Sequence, residues 1–206
     1  MCVFYGEEAD FDKLQDRCRE LLEAGHYQEA EPLARRLMEW AQGPLQEHPL
    51  ALAAACNTLG TVYKEQGRYG EAEPLLKRAL AIKEKLLGSE HPAVATSLYN
   101  LALLYADQGR YGEAEPMYKR ALAIEEKVLG PEHPLVATSL NNLAKLYYDQ
   151  GRYGEAEPMY KRALAIWERV LGPEHPAVAR PLNNLANLYA DQGRYGEAEP
   201  LLKRAL

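Results

Sequence analysis

Residues 66–74 read QGRYGEAEP, and the same nine letters return at Gln108, Gln150 and Gln192. The four starts are 42 residues apart, and a degenerate copy, AGHYQEAEP, begins another 42 residues upstream at Ala24. A strict period of this size marks a repeat array, in which each repeat buries its apolar face against its neighbours. A single catalytic centre has no use for four copies of one phrase.

The third copy shows what one repeat encodes. Leu98, Leu101, Ala102 and Tyr105 fall at i, i+3, i+4 and i+7, one face of an amphipathic helix. Pro92 suits the first turn of that helix and Gly109 its left-handed stop. After the turn GRYG a second helix carries Ala114, Met117, Tyr118, Ala121 and Val128 along its inner face. Glu113 and Glu115 near its start and Lys127 in its last turn complement the helix dipole, and Pro116 is tolerated because it lies close to the start. No segment alternates with period two, so no strand is expected and the fold class is all-α, built of antiparallel helix pairs.

The repeats run over about 10–43, 49–88, 92–130, 134–172 and 176–206, forming one array behind a leader at 1–9. Small residues recur where paired helices must approach closely: Cys18, Gly60, Ala102, Ala144 and Ala186 in first helices, and Ala30, Ala72, Ala114, Ala156 and Ala198 in second helices. A large side chain at either place would overpack, at ~1–3 kcal/mol. The first repeat has Arg17 where the others have Leu and reads as a degenerate cap; its Trp40 takes a core-facing place held elsewhere by Ile82, Ile124 and Ile166. Pro181, five residues into the last first-helix, predicts a late start or a bend over 177–181. The chain stops at Leu206 inside a second helix, which reads as a fragment whose apolar end (Leu201, Leu202 and Leu206) is open to self-association.

Composition narrows the function. With 47% hydrophobic residues and a mean hydropathy of −0.43, the chain has no run near the ~18 apolar residues of a membrane helix. Its start lacks the basic region of a signal peptide. Cys2, Cys18 and Cys56 show no C-x-x-C spacing and fit reduced thiols in a cytoplasmic protein. A net charge of −6 argues against nucleic acid and anionic membranes as partners. His48, His91, His133 and His175 each precede a proline, but they are equivalent loop residues one layer apart. Packed helices stand ~8–10 Å apart and zinc needs ligands at ~2.0 Å, so no metal is expected. No phosphate-loop, zinc-protease or nucleophile-elbow motif occurs. Glu71 and Glu73 recur in every repeat, as solvated helix starts do. No catalytic residue and no cofactor is expected.

The Leu, small, Tyr, Gly, Ala, aromatic, Ala pattern, met in the third repeat as Leu101, Ala102, Tyr105, Gly109, Ala114, Tyr118 and Ala121, resembles the tetratricopeptide repeat (TPR). The longer repeat and the phrases LGSEHPAVATSLYNLALLY and LGPEHPLVATSLNNLAKLY resemble the TPR array of kinesin light chains, strongly from about 49 to 206 and weakly before. The resemblance implies a right-handed α-α superhelix and a noncatalytic scaffold that recognises cargo or adaptor peptides. Similar arrays also form sensor or assembly segments of larger prokaryotic regulatory proteins, which is the alternative reading.

Variation among copies points to a surface. In the aligned first helices, Thr96/Thr138/Arg180, Tyr99/Asn141/Asn183, Leu103/Lys145/Asn187 and Ala106/Tyr148/Ala190 differ at offsets 0, 3, 7 and 10, a single helical stripe. Asp12, Gln15, Arg19 and Leu22, then Ala54, Asn57, Thr61 and Lys64, complete it. Arg19, Lys64, Lys145 and Arg180 against Asp12 give the stripe a charge of +3 in an acidic chain, which suits an acidic peptide. Glu23, Glu65, Asp107, Asp149 and Asp191 follow just after it and could offset part of that charge. In TPR arrays this stripe lines the concave groove. The resemblance also gives Asn100, Asn142 and Asn184 the role of holding a peptide backbone, since an amide both donates and accepts. The expected binding residues are therefore Asn57, Thr61, Lys64, Tyr99, Asn100, Leu103, Asn141, Asn142, Lys145, Tyr148, Arg180, Asn183, Asn184 and Asn187, centred on the third to fifth repeats. The Lys that precedes such an Asn in carboxylate-clamp TPRs is replaced by Gln15, Asn57, Tyr99, Asn141 and Asn183.

Overall fold

The computed structural model of the protein describes residues 2–205, and side chains from residue 10 onward apart from residue 177. It is 83% helical, with ten α-helices and no strand among the described residues. The chain divides into two compact units, Met1–Arg110 and Tyr111–Leu206. The first holds α1 (Cys2–Glu23), α2 (Tyr27–Gln42), α3 (Pro49–Glu65), α4 (Tyr69–Leu87) and α5 (Pro92–Asp107). The second holds α6 (Tyr111–Leu129), α7 (Pro134–Asp149), α8 (Tyr153–Leu171), α9 (Ala179–Asp191) and α10 (Tyr195–Ala205). Within each unit every helix packs on the next, and α3 also touches α1 and α5 as α7 touches α9.

The repeated phrase supplies the local signals. The His91 and His133 rings accept hydrogen bonds from the Ala93 and Leu135 amides, capping α5 and α7 just ahead of Pro92 and Pro134. At the other end of α5, Gly109 has φ +71°. The amides of Gly109 and Arg110 return to the carbonyls of Ala106 and Tyr105 at 2.9 and 2.8 Å. That six-to-one closure is a Schellman stop, and it delivers the arginine onto the face of the tyrosine five residues back.

Packing follows the small-residue rule. Cys18, Ala102, Ala144 and Ala186 are fully buried, as are Ala30, Ala72, Ala114 and Ala156. At Gly60 a Cβ would lie 2.9 Å from Leu76, itself buried, so α3 and α4 meet closer than an alanine allows. In the second unit Val136, Ala137, Leu140, Ala163 and Ile166 form a core, against which Leu122, Met159 and Trp167 pack. Burial pushes the Cys18 thiol up to about 11 and also raises Cys56. Among the described residues no helix is long and apolar enough to cross a membrane.

Several expectations change. The backbone of 2–9 is helical and continuous with α1. Val128 is 47% exposed, and the buried face of α6 ends at Ile124. Trp40 is only partly buried, with the Arg36 guanidinium 4.9 Å from its ring, whereas Ile124 and Ile166 are in the core. The last first-helix starts late as the proline requires: a 3-10 turn covers Pro176–Val178 and α9 begins at Ala179. Leu206 lies outside the described residues; Leu202 is exposed.

Candidate functional site

The nine-letter phrase builds a clamp between successive repeats. Arg152 donates to Glu115 of the preceding repeat at 2.7 Å and to Glu155 at 2.6 Å, and its guanidinium lies 4.2 Å from the Tyr147 ring centre. Tyr147 in turn donates its hydroxyl to Glu115 at 3.1 Å, and Lys119 pairs with the same carboxylate at 2.6 Å. The same set recurs as Arg110, Glu73, Tyr105 and Lys77, and as Arg194, Glu157, Tyr189 and Lys161. In the first repeats Arg68 and Gln66 reach Glu31. A glutamate receiving so many donors is strongly favoured as its anion. Hydrogen bonds from Arg152 and Lys119 hold Glu115 at about 2, and Arg110 with Lys77, and Arg194 with Lys161, do the same for Glu73 and Glu157. Gln66 and then Arg68 hold Glu31 at about 2. In the first four copies the second glutamate (Glu31, Glu73, Glu115 and Glu157) is thus a structural acceptor, not the solvated helix start expected, whereas Glu199 is exposed and pairs only with Lys203. The arginine partner of each of the four lies in the following repeat, which a reading of one repeat at a time does not reveal.

The variable stripe is a surface in the first unit. Gln15, Arg19 and Leu22 of α1, Ala54, Asn57 and Thr61 of α3, and Thr96 and Asn100 of α5 line one hollow of about 320 Å³. No carboxylate lines it. Asn100 donates its amide to the Asn57 side-chain oxygen at 3.0 Å, and Thr61 donates to the Asn57 carbonyl at 2.9 Å. Lys64 is different. Its side chain is 10% exposed and pairs with Glu65 and with Asp107 at 2.5 and 3.6 Å, so it belongs to the packing. Tyr99 and Leu103 are partly exposed on α5.

In the second unit the stripe is more heavily engaged. Asn184 donates to the Asn141 side-chain oxygen at 2.9 Å, and Asn141 is 2% exposed. Asn142, 8% exposed, donates to the Thr138 carbonyl at 3.0 Å. Asn100 with Asn57, and Asn184 with Asn141, therefore form rungs that join one repeat's first helix to the next, whereas Asn142 bonds within α7. Each rung leaves amide capacity unused. Lys145 is exposed but held by Asp149 at 2.8 Å, and the Tyr148 hydroxyl donates to Asp191 while its ring lies 5.7 Å from Tyr153. Those two carboxylates follow the stripe in sequence and neutralise it here. Arg180, Asn183 and Asn187 are exposed on α9, and Arg180 has no carboxylate partner among the described residues.

Reading only the first helices overlooks two residues of the second helices. Lys83 of α4 also lines the hollow, partly buried, with its ammonium 2.9 Å from the Ser97 hydroxyl. Glu125 of α6 holds the equivalent place and bonds Ser139, while its Oε2 is buried without a partner; burial raises its pKa. Aligning LAIKEKLLG, LAIEEKVLG and LAIWERVLG exposes the signal, since Lys83, Glu125 and Trp167 share one column in otherwise uniform helices. Among the described residues no group of three His, Cys, Asp or Glu could hold a metal.

The comparisons with known proteins agree with this architecture. The tetratricopeptide repeat family model matches at residues 50–127, 99–166 and 135–206. No curated protein matches the chain. Among solved structures, a Podosopora anserina putative kinesin light chain with nearly identical TPR-like repeats is 31% identical, over 95% of this chain and 93% of that one, with a TM-score of 0.76. BtubC (BKLC) from P. vanneervenii is 24% identical over 98% and 89% of the two chains, with a TM-score of 0.78, a likeness of fold. Pseudomonas aeruginosa pilF shares the fold at 19% identity and a TM-score of 0.69, over 98% of this chain and 78% of that one. With a matched family model over most of its length and repeats like those of a kinesin light chain, the chain belongs to the tetratricopeptide repeat family.

Proposed function

We propose that this chain is a noncatalytic scaffold that binds extended acidic peptides along the variable stripe of its first helices, as a cargo- or adaptor-recognition module does. TPR domains bind proteins or peptides, and the stripe is where this array varies. The observation that carries the acidic preference is the hollow on α1, α3, α4 and α5, lined by amides, hydroxyls, Leu22 and Ala54, and the cations Arg19 and Lys83, and by no carboxylate. A surface of that kind offers hydrogen bonds to any peptide backbone and favours a negative side chain. In the second unit Arg180 supplies a cation with no carboxylate partner among the described residues, with Asn183 and Asn187 exposed on the same helix.

A peptide array followed by calorimetry tests the reading. Acidic peptides are expected to be retained over basic ones of the same length. Arg180→Glu weakens binding by ~1 kcal/mol, and Arg19→Glu by less, because Asp16 already pairs with that guanidinium at 3.2 Å. Lys145→Glu has a smaller effect, because Asp149 already holds that ammonium, and Glu71→Ala, on the exposed start of α4, leaves affinity unchanged. Preferential capture of basic peptides, or equal losses for Arg180→Glu and Glu71→Ala, would show that the stripe is not the binding face.

A further inference from the structure

Lys83 is a partly buried cation of an uncommon kind in this molecule. Lys13, Lys64, Lys77, Lys119, Lys145, Lys161 and Lys203 each sit against a carboxylate. Lys83 has only the Ser97 hydroxyl, 2.9 Å away, and no carboxylate partner among the described residues. An ammonium carries three donors, so two remain for another acceptor. Burial without a counter-ion disfavours the charged form, and the Lys83 pKa is lowered for that reason.

The place where this charge sits is open. The hollow it lines has about 320 Å³ of space, room for about ten waters. Asn57, Asn100 and Thr96 line the same hollow with neutral donors and acceptors. The fold does not need the lysine, because the same column holds Ala41, Glu125 and Trp167 in the other repeats. A cation that the architecture does not require, without a carboxylate partner among the described residues and lining a hollow without acidic walls, is arranged to receive an anion.

We propose that the hollow is a carboxylate subsite, in which Lys83 pairs with a glutamate side chain of the bound peptide. The amides of Asn57 and Asn100 bracket the peptide backbone beside it, and Ser97 orients the ammonium. The subsite rests on the reading that this face binds peptides, and its test separates the two.

Two labelled probes, an alternating Ala-Glu octapeptide and its Ala-Gln counterpart, are titrated against the wild type, Lys83→Met and Lys83→Arg. The wild type is expected to prefer the Glu peptide by about tenfold or more, the scale of one charge-assisted hydrogen bond. Lys83→Met loses about tenfold of that preference, keeping the part that Arg19 and Arg180 contribute and its affinity for the Gln peptide, and Lys83→Arg retains most of it. If Lys83→Met keeps the full preference, the subsite is wrong and peptide binding stands. A second arm needs no variant. N-acetylglutamate amide is added to wild-type protein carrying 13Cε-labelled lysine, and the Lys83 resonance is expected to move saturably, with no comparable shift for N-acetylglutamine amide. A Lys83 signal unmoved by either overturns the subsite whether or not the octapeptides bind, whereas failure of both octapeptides with a moving Lys83 signal overturns the extended-peptide reading alone.

Discussion

Arg152 shows how much one side chain of the repeated phrase does. Its planar guanidinium donates to two glutamates and stacks on Tyr147, three tasks that a lysine's point charge cannot combine. An exposed ion pair contributes at most ~1 kcal/mol, and a well-shielded charged hydrogen bond ~1.5–3 kcal/mol. The Arg152 side chain is 33% exposed and Glu115 20%, so the pair belongs near the lower bound of the second range. Arg152→Lys is expected to destabilise the second unit by ~1 kcal/mol. In a double-mutant cycle with Glu115→Gln the two losses should fall short of additive, read from denaturant melts. Additive losses would mean that the two groups do not act together. The importance of the arginine was half legible in the sequence. It recurs every 42 residues within the repeated phrase, but its acceptor lies 37 residues upstream. Nothing in local periodicity couples those positions until the helices are stacked.

At the scale of one element, α9 departs from α5 and α7 for a reason that can be tested. Ser97 and Ser139 stand where α9 has Pro181, and their helices begin at Pro92 and Pro134. A proline there has no amide to return to the carbonyl four residues back, and its ring crowds that carbonyl. The chain tightens into a 3-10 turn over Pro176–Val178 before the α-helix starts. Pro181→Ser is expected to convert that turn into α-helix, seen as helical carbon shifts and slower amide exchange at 178–182. Stability should change by less than ~1 kcal/mol, since restoring a hydrogen bond opposes placing a hydroxyl at a buried position. A 3-10 turn that persists in the variant would assign the late start to the preceding connection instead. This departure was readable in advance because proline acts through its own ring. The exposed last turn of α6 was not, because whether Val128 is covered depends on what packs against that turn, not on its own helix's periodicity.

Across the whole molecule, titration of a few carboxylates sets how stability responds to pH, and two groups of opposite sign compete. Glu31, Glu73, Glu115 and Glu157 are held at about 2 against an ordinary 4.5. The stabilisation they carry is full above 4.5 and is lost as pH falls from there through 2. Glu125 is the reverse case. Burial raises its pKa above 4.5, Ser139 offsets this in part, and neighbouring Glu126 adds to it. Keeping Glu125 protonated favours the fold, so its contribution is full below 4.5 and is lost as pH rises through the raised value. The two trends give a maximum of thermal stability on the mildly acidic side of neutrality rather than at it. Glu125→Gln removes only the second trend, because the amide stays neutral and keeps the bond to Ser139 available. The variant is expected to melt higher than wild type at neutral pH, and the two melting curves should converge once pH falls below 4.5. Below that point both should lose stability together as the four clamps protonate. A constant offset between the two proteins at every pH would show that Glu125 matters for its shape and not for its charge. A wild-type melting temperature indifferent to acid down to pH ~3 would remove the clamps from the account of what holds successive repeats together.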